Sequence, residues 1–213
     1  LDPNPRVILI PGTGMFTTGK DHRAATIPHD LYLHTFPVIE AATAINAYQT
    51  ISLKETCDFE YWPMENFKLS LLPPEKSFSR KIALITGAAG AIGSAIAASF
   101  VKAGASVVLA DIAGEKAKAL AAQLNETAGG KQAVAVQMDV TDENDVKRGF
   151  EVAALAFGGL DIFVSNAGIA RTASVDDLTL ADWEDSLRVN ATGHLLTSQA
   201  ALKMMKAQGL GGA

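Results

Sequence analysis

The chain has 213 residues, 48% of them hydrophobic and 19% charged, with a formal net charge of −5. That is enough apolar material for a sizeable core, in one large domain or one domain and part of another. The acidic balance and the absence of any lysine or arginine run argue against nucleic acid and anionic membrane as partners. The opening Leu1-Asp2-Pro3-Asn4-Pro5 is polar and turn-prone and shows no signal-peptide pattern. Residues 6–10, closed by Pro11 and Gly12, predict a short buried strand. Across 19–46, Ala24, Ile27, Leu31, Val38, Ala42 and Ile45 recur mostly at three or four residues, the period of an amphipathic helix. Pro28 and Pro37 predict a kink there, or two helices. The single cysteine, Cys57, permits no intrachain disulfide; it fits a reducing cytoplasm and reads as an unreactive thiol. Residues 58–72 hold Phe59, Tyr61, Trp62, Phe67 and Leu71 without a period, predicting an irregular aromatic segment that packs on a neighbouring surface. Pro73-Pro74-Glu75-Lys76 reads as a linker.

From residue 81 the order becomes regular: strand 82–85, helix 92–102, strand 106–110, helix 114–125 and strand 133–138. A helix capped by Thr141 follows, with Asp142 and Glu143 in its first turn, then strand 161–165. Thr179 and Asp182 form a capping box that opens a long helix through Lys206, ended by Gly209, Gly211 and Gly212. Alternating strands and helices with short connections predict an α/β fold with a doubly wound parallel sheet, four strands of which are present.

The chemistry concentrates in residues 81–111, KIALITGAAGAIGSAIAASFVKAGASVVLAD. Ile82 to Val101 is free of charge for 20 residues, long enough to span a bilayer, but Gly87, Gly90 and Gly93 with Thr86 and Ser94 suit a phosphate turn better than lipid. Between a strand and a helix, glycines let the backbone turn tightly and approach a pyrophosphate, whose charge the first N–H groups of the helix stabilise. Gly87, Ala89, Gly90, Ala91, Ile92 and Gly93 are therefore the candidate phosphate segment. On the glycines alone, a plain strand-to-helix turn competes with this reading. Asp111, eighteen residues beyond Gly93 at the end of the next strand, favours the dinucleotide. A carboxylate there accepts hydrogen bonds from an adenosine ribose and repels a 2′-phosphate. No arginine or lysine stands at Ala88, Ala89 or Ile112, so NAD is expected over NADP.

Asp139-Val140, Ser165-Asn166-Ala167-Gly168 and Asn190 follow in order, and with them residues 78–213 resemble the short-chain dehydrogenases/reductases. The resemblance implies a Rossmann sheet, a nicotinamide cofactor, a small alcohol or aldehyde substrate and a homo-oligomer. It implies that Ile112 accompanies Asp111 and that Asp139 and Val140 hold the adenine edge. Asn166, Ala167 and Gly168 would stabilise the sheet beside the cofactor, and Asn190, the one catalytic residue present, would support a proton-relay water. Taken singly, Asp139 can merely precede the Thr141 cap and Asn190 can bond backbone at a helix irregularity; their joint order favours the functional reading. Two departures matter. Ala91 stands where single-domain members have glycine, giving the GxxGxxG spacing of the extended, epimerase-like branch; a positive φ there would cost alanine about 1 kcal/mol. No tyrosine follows Tyr61, so the family's catalytic serine and Tyr-x-x-x-Lys are not matched, Ser198, Lys203 and Lys206 falling inside the last helix. Without that acid–base pair the chain is expected to turn over no substrate at a useful rate.

Residues 6–20 and the run Glu60-Tyr-Trp-Pro-Met-Glu65 resemble the linking region of fusions between a class II aldolase of the rhamnulose-1-phosphate type and a C-terminal short-chain dehydrogenase. The resemblance covers about the first 70 residues. It implies that 1–74 is the tail of an aldolase-like domain plus linker and 75–213 an incomplete NAD-binding Rossmann domain. The implied parent is a cytoplasmic bifunctional enzyme acting on deoxy-sugar-derived aldehydes or alcohols such as lactaldehyde. Aldolases of that class bind zinc through a His-x-His pair and a further histidine; His22, His29 and His34 contain no such pair, and no metal is assigned. A non-catalytic dinucleotide-binding module and an extended-type epimerase or dehydratase stay open as alternatives.

Overall fold

The computed structural model describes residues 5–71 and 74–213, the side chain of Glu65 apart. The turn-prone opening up to Asn4, Leu72 at the end of the aromatic segment, and Pro73 at the start of the linker lie outside the described residues. Contacts divide the chain into two compact units, with the boundary between Glu75 and Lys76.

In the first unit β1 (Val7–Ile10) and β2 (Gly14–Thr17) form an antiparallel hairpin with Ile10 opposite Gly14. The strand expected to be buried is not: Ile8, Leu9 and Ile10 are exposed, because its sheet has two strands and no described residue of this unit is buried. Helix α1 (His22–Ile45) starts at Asp21, whose carboxylate accepts the Ala24 N–H at 2.8 Å. Pro28 and Pro37 lie inside one helical run rather than dividing it in two. The aromatic segment expected to be irregular forms two helices, α2 (Leu53–Glu60) and α3 (Pro63–Ser70). Ser52 and Glu55 make a reciprocal capping box at the start of α2, with the Ser52 N–H donating to the Glu55 carboxylate at 2.8 Å. The Ser52 hydroxyl and backbone N–H together hold the Glu55 carboxyl below its ordinary range. Proline at the first position of α3 needs no N–H there.

The second unit is a four-stranded parallel sheet in the order β5-β4-β3-β6, built from β3 (Ile82–Thr86), β4 (Ser106–Asp111), β5 (Ala133–Gln137) and β6 (Ile162–Val164). Both faces are covered, which is why the strands read as nearly continuous apolar runs. The period of two sends Ala83 and Ile85 of β3 to one face, where they pack with Ala97, Val101 and Leu124 of α4 (Ala91–Lys102) and α5 (Gly114–Ala128). Leu84 goes to the other face, with Phe150 and Ala153 of α6 (Glu143–Phe157) and Ala201 of α8 (His194–Gln208). At the edge of β6, the Ala213 N–H donates to the Asp161 carbonyl and its carbonyl accepts the Phe163 N–H, at 2.9 and 2.8 Å.

Two local details differ from the sequence expectation. The cap of α6 is Asp142, whose carboxylate accepts the N–H groups of Asn144 and Asp145 at 2.8 and 2.9 Å. Thr141 is not free for that role: its N–H and hydroxyl both donate to Asp139 Oδ1. The long helix opened by Thr179 is three segments: α7 (Leu180–Leu187), a π-helical turn over Arg188–Gly193, and α8. It ends, as expected, on a left-handed glycine, Gly209 at φ +68°.

Candidate functional site

From β3 the chain moves to β4 and β5 on one side, then returns to place β6 on the other side of β3. The crevice at the carboxyl ends of β3 and β6 is thus a topological switch point, where open α/β sheets hold ligands. A cleft of about 530 Å³ lies there. All thirteen residues expected from the sequence to touch a cofactor line it: Gly87, Ala89, Gly90, Ala91, Ile92, Gly93, Asp111, Ile112, Asp139, Val140, Asn166, Ala167 and Gly168.

The floor of the cleft needs its glycines. Gly87 turns out of β3 at φ +62°, and a Cβ there would stand 2.9 Å from the Ala167 Cα. Gly93, in the first turn of α4, faces the Gly87 carbonyl so closely that a Cβ would meet its oxygen at 2.3 Å. Ala91 is the first residue of α4 and has no positive φ, so the alanine in the glycine motif carries no backbone strain.

Thr86 joins the two sides of the crevice. Its fully buried hydroxyl oxygen accepts the N–H groups of Asn166 and Ala167, each at 3.0 Å. The Asn166 amide answers by donating to the carbonyls of Thr86 and Gly87 at 2.9 and 3.1 Å. Asp111 fixes the other rim: one carboxylate oxygen accepts the Ala89 N–H at 2.9 Å and the other the Ala113 N–H at 2.8 Å. Each oxygen keeps a second lone pair. Asp139 accepts from Thr141 through Oδ1, while its own N–H donates to Asp145 Oδ2 at 3.1 Å. That bond and the Arg148 guanidinium at 2.7 Å hold the Asp145 carboxyl below its ordinary range.

Asn190 does not line the cleft. It lies in the π-helical turn and clasps the backbone of Ile169, which does, accepting its N–H at 2.9 Å and donating to its carbonyl at 2.8 Å. The backbone-binding reading of Asn190 is therefore what its side chain shows. Such π turns cluster at functional sites. Gly193, at the end of the turn, lets it close on Val140, whose Cγ2 would be 2.7 Å from an added Cβ. Sequence reasoning missed Ala113, Lys116, Met138, Ile169 and Val189 in the lining, and the role of Thr86. Lys116 was within reach: it falls in the first turn of the helix that follows Asp111. Among the described residues no group of histidine, cysteine, aspartate and glutamate could hold a metal ion, and no helix is long and apolar enough to cross a membrane.

A family model described as short chain dehydrogenase matches residues 81–213, and one for the second domain of class II aldolases matches residues 1–69. An oxidoreductase of Bacillus subtilis, YuxG, is 46% identical over 208 residues, which are 98% of this chain and 30% of that protein. D-threitol dehydrogenase of Mycolicibacterium smegmatis is 42% identical over 62% of this chain and 50% of its own length. The crystal structure of a 3-ketoacyl-(acyl-carrier-protein) reductase from Brucella melitensis complexed with NADH aligns with a TM-score of 0.56 at 33% identity, over 61% of this chain and 51% of that one. The chain thus spans between 30% and 51% of the length of these relatives.

Proposed function

The chain belongs to the short chain dehydrogenase family, and from that premise we propose that its second unit is the NAD(H)-binding part of an oxidoreductase for a small alcohol or aldehyde. One observation carries the reading: every residue expected to touch a cofactor lines a single crevice at the switch point, where Gly87 and Gly93 stand too close to neighbouring backbone to carry a side chain. When bound, the dinucleotide supplies the hydride donor or acceptor. The chain's own residues hold it. Gly87, Gly90 and Gly93 bring backbone close to the diphosphate at the start of α4. Asp111, anchored by Ala89 and Ala113, presents its remaining lone pairs to the adenosine ribose and disfavours a phosphate there. Asp139 and Val140 flank the base. Asn190 is a positioning residue: it fixes Ile169 on the nicotinamide side and supports the water of a proton relay. The NADH in the Brucella reductase structure supports a nicotinamide dinucleotide.

The match of residues 1–69 to class II aldolases supports reading 1–74 as the tail of a sugar-phosphate aldolase domain fused ahead of the dehydrogenase part, 75–213. The substrate is then a sugar-derived alcohol or aldehyde of lactaldehyde type, a class with which a relative named for D-threitol is consistent. No tyrosine follows Tyr61, so these 213 residues bind cofactor without appreciable turnover. Calorimetric titration of the full chain with NADH tests the reading. Wild type should bind, and Asp111→Ala should bind more weakly and with less preference for NADH over NADPH. Failure of the wild type to bind NADH would refute it.

A further inference from the structure

Two side chains of one helical run hold the segment that forms one wall of the cleft. Asn166, Ala167, Gly168 and Ile169 all line it. At the end of this segment Asn190 clasps the backbone of Ile169. At its start, His194 meets Ser165 from a point four residues further along the same helical run. The imidazole Nδ1 and the Ser165 Oγ are hydrogen-bonded at 2.6 Å, with the proton on either atom according to the tautomer. Ser165 is half-buried and directly follows β6; His194 is exposed and is the first residue of α8. Between the two anchors Ala167 and Gly168 have no polar side chain, and Thr86 holds the backbone of Asn166 and Ala167. His194 stands on a fixed base. Gly193 before it is buried against Val140, and the fully buried Thr197 hydroxyl donates to the Gly193 carbonyl at 2.7 Å. The bond to Ser165 thus carries the position of the helix to the start of the wall.

We infer that His194, acting through Ser165, is a positioning residue for the nicotinamide half of the cofactor. The inference rests on the reading that this cleft holds a nicotinamide dinucleotide, with Ile169 on the nicotinamide side. With both ends of the segment pinned, the wall is in place before the ligand arrives, and less freedom is lost on binding. Without His194 the start of the wall must be ordered by the ligand itself. The adenosine half is held elsewhere, by Asp111 and Asp139, whose hydrogen bonds run to Ala89, Ala113 and Thr141.

The test is calorimetric titration of the full chain with NADH, and with ADP as a probe of the adenosine half. The variants are His194→Ala, Ser165→Ala, the two combined, and His194→Asn. Alanine is a better helix former than histidine, so a loss in His194→Ala does not come from the helix. Asparagine has a helix propensity close to that of histidine and carries a polar atom as many bonds from Cβ as Nδ1. His194→Ala should weaken NADH about three- to tenfold and ADP less than about twofold. Ser165→Ala should do the same, and the double variant should lose no more than either alone. His194→Asn should recover NADH affinity to within about twofold of wild type. Unchanged NADH affinity in His194→Ala, equal losses for NADH and ADP, additive losses in the double variant, or no recovery with asparagine would each overturn this inference and leave the cofactor reading standing. A wild type that does not bind NADH would overturn both.

Discussion

Replacing Thr86 with valine keeps the shape of a fully buried strand residue and removes the oxygen that holds two loops together. Valine suits the strand, so propensity contributes little. The N–H groups of Asn166 and Ala167 lose their acceptor, and a buried donor left unpaired costs about 1–3 kcal/mol. Both residues are only half-buried, so the lower part of that range applies and the sum is about 2–3 kcal/mol. The hydroxyl's own donation to Val164, at 3.4 Å, is too long to add much. For a unit of this size each kcal/mol moves Tm by about 3–5 °C, so Thr86→Val should melt about 6–15 °C below wild type. Thr86→Ser keeps the oxygen and loses one methyl, about 0.8 kcal/mol. Thermal and urea denaturation followed by circular dichroism give the stabilities. Amide hydrogen exchange at residues 166 and 167 reports the bonds themselves. If Thr86→Val matches wild type within about 0.5 kcal/mol with those two amides equally protected, the hydroxyl is not the joint described here.

Gly93→Ala should cost about 3 kcal/mol or more and abolish NADH binding, because its Cβ would stand 2.3 Å from a backbone oxygen that cannot move aside. Gly130→Ala, where nothing lies within 4 Å, is the matched control and should be near neutral in both melting and titration. The lowered Asp145 carboxyl sets a sign for acid behaviour: its contribution is present above the ordinary aspartate value and is lost as pH falls through the folded one. The Asp139 amide resonance, whose N–H the carboxylate accepts, should titrate in that acidic window, and Asp145→Asn should remove the titration.

The second unit was legible because its strands are buried on both faces and its helices are punctuated by small residues, so the β-to-α alternation stands out from residue 81 onward. The crevice was legible for the same reason: Gly87 and Gly93 have backbone neighbours too close for any side chain. The first unit was harder, since no described residue in it is buried and only the stretch that forms α1 carried a readable period. The start of α2 nevertheless had a readable signature in Ser52 and Glu55, and α3 in Pro63, overshadowed by the aromatics around them. The cap of α6 shifted by one residue because Asp139 competes for Thr141. Lys116 was not legible from positions 88, 89 and 112 alone, because the first turn of α5 returns the chain to the same rim.

The π-helical turn at Arg188–Gly193 changes what an insertion or deletion would mean in this stretch. A π turn takes in one residue more than the α-helix it interrupts, so the helices on either side are already in phase with each other. Removing a residue from the turn would leave α7 on its Thr179 cap and keep Thr197 and Ala201 of α8 buried, whereas a deletion within α8 would rotate everything after it by about 100°. The cost of the first deletion would fall elsewhere, on the clasp between Asn190 and Ile169. Helical phase and site geometry are therefore separable here, and one surplus residue is what separates them.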